Sequence, residues 1–115
     1  MVNKKLAFII FICAISCESN RNIIKLLNSK DKDELIEGAY LAGESGNKKY
    51  SSLLLKNADD VRTSTNLKFK GYTVYQEKMI ALSKIYNKKP PIEINERVDS
   101  SIIIFYIQLS QSSQK

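Results

Sequence analysis

The 115-residue chain has no histidine and no tryptophan, and its only cysteines are Cys13 and Cys17. Without histidine, the usual base of nucleophile–base catalysis is missing, as is the commonest metal ligand. With four glycines and two prolines the chain has no Gly-rich loop of the kind that cradles phosphate. Arginine is sparse as well, at Arg21, Arg62 and Arg97. The formal charge of +6 therefore comes without an arginine-rich stripe, a recognition-helix motif or an aromatic RNA-binding signature, and no nucleic-acid partner is expected. The acid pairs Glu34/Glu37 and Asp59/Asp60 admit a carboxylate hydrolase, but helix capping and solvated faces account for them more simply. Asp59-Asp60 also lacks the alternating oxygen-ligand spacing of a calcium loop. Neither catalysis nor a metal nor a cofactor is expected.

Long apolar runs are scarce too. The one present, Leu6 to Ile15, has ten residues and follows the basic start "MVNKK". An export signal needs an apolar stretch of about 7–15 residues after a positive start. A membrane-spanning helix needs about 20, and Glu18 and Arg21 interrupt the run before that. The segment reads as an export signal; the alternative is a buried N-terminal helix of the fold. Ala14 and Ser16 then place small residues where signal peptides are cut, and Cys17 follows.

The segment "AISC", Ala14 to Cys17, resembles the lipobox of bacterial lipoproteins. That resemblance implies a diacylglycerol on the Cys17 thiol, cleavage just before it, and acylation of the new N-terminus. Ala14 stands where leucine is commonest. Cys13 fits less well, because bulky Ile12 precedes it. Two or more acyl chains give stable anchoring where one holds only marginally, so Cys17 would tether the protein to a membrane of the cell envelope. Lys4 and Lys5 would leave with the signal, and the remaining 16 basic residues against 12 acids give +4. No free thiol would remain for redox or nucleophilic chemistry.

The expected division is a signal peptide over 1–16, a tether over 17–22, a helical domain over 23–109 and a flexible tail over 110–115. "NIIKLLNS" suits a short packed helix. In "DKDELIEGAYLAGESGN", Leu35, Ile36, Ala39, Tyr40 and Ala42 recur at helical spacing, Asp31 or Asp33 can cap the start, and Gly43 and Gly46 read as stop signals. "YSSLLLKN" suits a second short helix, and "ADDVRTSTNLKFKGY" a long loop. In "TVYQEKMIALSKIYN" helical spacing returns, with Thr73 or Thr65 as cap and "KKPP" as terminator. The run Ile102–Ile104 suits strand or helix; helix is preferred, because no partner strand is evident.

Sliding the chain by forty residues sets Leu35 on Tyr75, Ala39 on Met79, Ala42 on Leu82 and Gly43 on Ser83. With that repeat, "ELIEGAYLAGESGNKKYSSLLLKNADD" resembles a short bacterial HEAT repeat of the phycocyanobilin-lyase type, over about residues 24–87. The chain departs from that pattern in two places. Ser51 and Ser52 stand where a proline is common, and the insert Thr63–Tyr72 interrupts the second unit. The resemblance implies an all-α fold of stacked antiparallel helical hairpins, about two HEAT-like repeats, and an interaction surface rather than an enzyme.

The candidate surface is "NLKFKGYTVYQEK", where Lys68, Phe69, Lys70, Tyr72, Tyr75 and Lys78 interleave basic and aromatic side chains. The alternative is that the tyrosines pack a hairpin and the lysines are solvated. Two functions follow as expectations: a lipid-anchored envelope module that binds another protein, or an inhibitor or immunity-type protein that neutralises an envelope enzyme or toxin. Radiolabelled palmitate should be incorporated by the wild type and lost in Cys17→Ala; no incorporation by the wild type would remove the anchor.

Overall fold

The structure, a computed structural model, describes residues 19–112, and the expected signal segment and Cys17 lie outside them. Among the described residues the fold is all-α. It has five α-helices, two single-turn 3-10 helices and, in place of any strand, one isolated bridge between Thr63 and Thr73.

Helix α1 covers residues 19–27. Residues 19–22, expected to be part of a tether, are therefore helical. Burial explains the difference. Tyr50 is 3% exposed, and its hydroxyl donates to Asn20 Oδ1 at 2.6 Å. A buried phenol needs such an acceptor, and the polar Asn20 is held to supply it.

Helix α2 spans Lys32–Ser45. Asp31 caps it by accepting the Glu34 amide at 3.0 Å, and Asp33 and Glu34 suit the positive end of the helix dipole. Gly46, at φ 65°, ends it in the left-handed region that glycine tolerates. Gly43, expected as a stop signal, instead lies inside the helix and is buried. A 3-10 turn, Lys48–Tyr50, leads into the five-residue α3, Ser51–Leu55. Leu54 is fully buried there, while Leu53 and Leu55 are half-buried.

Helix α4 spans Val74–Tyr86 and begins with a reciprocal capping box between Thr73 and Gln76, at 2.9 and 3.0 Å. Asn87, at φ 51°, closes it before the prolines are reached. Helix α5 spans Ser100–Ser112, so the isoleucine run is helical and residues 110–112 of the expected tail continue the helix. Ile102 and Tyr106, one turn apart and at most 1% exposed, anchor its inner face. That packing outweighs the modest helix penalty of β-branched residues.

Helices α2 and α4 lie side by side and run in the same direction. Ile36 shares a cluster with Val74 near their starts, while near their ends Glu44 pairs with Lys84 at 2.9 Å. The main core lies beneath this pair and joins Ile23 and Leu27 of α1, Leu54 of α3, Met79 and Leu82 of α4, and Ile102 and Tyr106 of α5. The segment between α3 and α4 is pinned rather than free. The amides of Tyr75 and Val74 donate to Asp60 and Arg62 carbonyls at 2.8 and 2.9 Å, and Ser64 Oγ donates to Asp33 at 2.6 Å. A second 3-10 turn, Leu67–Phe69, drives the Phe69 ring under α2 beside Leu35, Ile36 and Val74. Burying such a ring contributes about 1.5–3 kcal/mol.

A Cβ on Gly43 would stand 2.9 Å from the Cα of Ala81. That neighbour is backbone and cannot swing away. Gly43→Ala should therefore lower stability by about 1–3 kcal/mol through overpacking, although the same change in an exposed helix gains about 1 kcal/mol. A urea midpoint equal to or above the wild type would contradict this contact.

Candidate functional site

The six residues of the basic–aromatic segment do not form one surface. Lys68 and Lys70 are exposed and Tyr72 is half-buried. Phe69 is buried at 6%, Tyr75 at 0% and Lys78 at 2%. Tyr75 faces the core, where its hydroxyl accepts the Asp99 amide at 3.1 Å and ties α4 to the start of α5. Lys78 stands three residues after Tyr75 and four before Leu82, on the same inward face. It points away from Lys68, and its Nζ donates to the Lys56 carbonyl at 2.8 Å. Tyr75 and Lys78 are thus removed from the expected surface, because helical register carries them inward.

Other residues replace them. Tyr40 of α2 and Glu77, Ile80 and Lys84 of α4 join Lys68, Phe69, Lys70 and Tyr72 around a groove of about 250 Å³. Tyr40 and Phe69 meet edge to face, with centroids 6.1 Å apart. The Lys68 ammonium lies 5.5 Å from the Tyr40 centroid and 5.6 Å from that of Phe69, and Lys84 lies 5.5 Å from Tyr40. Ammonium groups at this range are drawn to the ring faces. They hold the lysine stems against the aromatic pair.

The groove has an acidic floor. Glu77 is 4% exposed, and among the described residues no hydrogen-bond donor reaches its carboxylate. Burial pushes its pKa above the usual carboxylate range, and the Lys84 charge opposes that only in part. Lys84 shifts upward instead, chiefly through its hydrogen bond to Glu44. The rim is therefore basic and aromatic, and the floor is an acid that is costly to ionise. No His, Cys or metal cluster accompanies it among the described residues.

Tyr40, Glu77 and Lys84 were missing from the expected site. Glu77, Ile80 and Lys84 recur at i, i+3 and i+7, a readable stripe. What the pattern lacked was the neighbour: only the parallel packing of α2 brings Tyr40 onto that stripe. Among the described residues no helix is long and apolar enough to cross a membrane. No protein-family model, no curated protein and no solved structure matches the chain.

The raised pKa of Glu77 has a definite sign for stability. The folded carboxyl holds its proton more tightly than the unfolded one, so the folded state loses stability as pH rises through the folded value. Glu77→Gln should be more stable than the wild type at pH 7. The difference should shrink as pH falls below the ordinary glutamate value of about 4.3. Denaturant titrations at the two pH values give the comparison, and a gap that widens in acid would reverse the assignment.

Proposed function

We propose that the protein is a non-enzymatic, lipid-anchored module of the bacterial envelope that binds another protein through the groove between α2, α4 and the Lys68–Tyr72 corner. The observation that carries this reading is the seating of Lys68 over both Tyr40 and Phe69, with Lys70 exposed beside it. Rigid aromatics flanked by cations make strong contacts at little entropic cost. The anchor rests on Cys17 and the lipobox-like "AISC" before it. The HEAT-like reading draws support from the parallel pairing of α2 and α4, whose buried positions stand forty residues apart: Leu35 and Tyr75, Ala39 and Met79, Ala42 and Leu82. Repeat units of that kind stack neighbours to bury faces that one hairpin cannot.

A second reading, an inhibitor or immunity-type protein, draws on the same basic rim, which would complement the acidic mouth of an enzyme or toxin. A toxin-like reading frame beside the gene would favour it.

Cross-linked pull-down from intact cells tests the shared claim. The wild type should retain a partner that the Lys68/Lys70/Tyr72 triple alanine variant loses, while the variant keeps its fold by circular dichroism. Equal recovery of every partner by both proteins would remove the groove as the contact surface.

A further inference from the structure

Helix α4 carries a lysine where its inward face calls for an apolar residue. Lys78 is 2% exposed, between the fully buried Tyr75 and Leu82. An ammonium has three donors, and the Lys56 carbonyl takes one at 2.8 Å. Among the described residues no carboxylate lies within ion-pair distance of Lys78. Asp60 and Asp59 are near enough to be felt, but neither is within ion-pair distance of Lys78, and Arg62 already engages Asp60 through Nη2 at 2.7 Å and Nε at 3.0 and 3.2 Å. Burial accordingly pulls the Lys78 pKa below the usual lysine range. A buried charge without an ion-pair partner costs several kcal/mol, which a bound counter-charge offsets.

Lys78 lines a cavity of about 360 Å³ between the end of α1, Leu35 of α2 and the segment 56–62 that follows α3. Leu27 and Leu35 give it an apolar wall, and Arg62 stands beside it. The Arg62 Nη1 donates to the Lys30 carbonyl at 3.0 Å, which leaves one N–H on each terminal nitrogen uncommitted. This cavity shares no residue with the basic–aromatic groove.

We propose that the cavity binds a carboxylate with a short apolar body, the anion on Lys78 and Arg62 and the body against Leu27 and Leu35. A monoanion fits better than a phosphate dianion, because Asp60 lines the same cavity and repels each added negative charge. The carboxylate belongs either to a free short-chain acid or to a peptide. The proposal does not rest on the protein-binding reading above.

The test is an NMR titration of the full chain in non-ionic detergent, with lysine labelled at 13Cε, at fixed ionic strength. Butyrate should shift the Lys78 ε-methylene resonance saturably in the millimolar range, and butyramide should not. Lys78→Met keeps the stem and deletes the charge, so it should fold at least as stably and bind butyrate about tenfold more weakly or worse, by at least ~1.4 kcal/mol. An acetylated peptide ending in leucine, compared with its C-terminal amide, separates the two sources. Tighter binding than butyrate assigns a peptide carboxylate, and weaker binding assigns a free acid. No saturable shift in the wild type, an equal shift with butyramide, or undiminished affinity in Lys78→Met would each overturn the proposal. The wild-type comparison of butyrate with butyramide decides the matter even where the variant fails to fold.

Discussion

Small side chains at Ala39, Ala42, Gly43 and Ala81 let α2 and α4 approach nearly backbone to backbone, and the other elements are arranged around that contact. The three positions on α2 are buried, Ala81 is 2% exposed, and even one added carbon at Gly43 would meet the Ala81 backbone. A seam this tight admits little sliding or rotation, because packed interiors resist even single-methylene changes. It fixes which side of α4 looks at Tyr40 and which looks toward α1 and α3. Both cavities owe their walls to that orientation.

The same orientation buries three consecutive polar residues at the start of α4. Gln76, Glu77 and Lys78 are 8%, 4% and 2% exposed. Each meets the cost of burial differently. Gln76 closes the capping box with Thr73. Lys78 crosses inward to the Lys56 carbonyl. Glu77 has no donor among the described residues and instead holds its proton more tightly, at the floor of the groove. Among the described residues no fully buried side-chain nitrogen or oxygen lacks a partner, so the donor-less Glu77 carboxylate keeps its contact with the groove.

Much of the architecture was legible beforehand, and for local reasons. Asp31 and Thr73 had the right chemistry and spacing to cap α2 and α4, and both do. Gly46 had the freedom a left-handed helix end needs. The run Ile102–Ile104 was ambiguous by composition, and the absence of a partner strand pointed correctly to helix. Gly43 misled because glycine signals both helix ends and close approach, and only a neighbour tells these apart. Asn20 misled because its partner, Tyr50, lies thirty residues away. The candidate surface was divided by burial, with Phe69 turned under α2. Lys68, Lys70 and Tyr72 stayed outside, whereas Tyr75 and Lys78 followed the helical stripe of Met79 and Leu82 inward.

The sequence alone determined the properties that depend on neighbours along the chain: helical periods, caps and stops, the lack of imidazole chemistry, and the short apolar run that ends at Ile15, two residues before Cys17. These follow from spacing, residue chemistry and count. The tertiary structure decided which polar residues became buried and what they faced, since burial depends on segments brought together from afar. Tyr40 reached Lys68 and Lys84 only through the α2–α4 seam. Lys78 met its carbonyl twenty-two residues away only because α3 ends beneath α4. A lysine reads the same in sequence whether its charge is in water or in a core, and the desolvation that separates the two is a property of the packed fold.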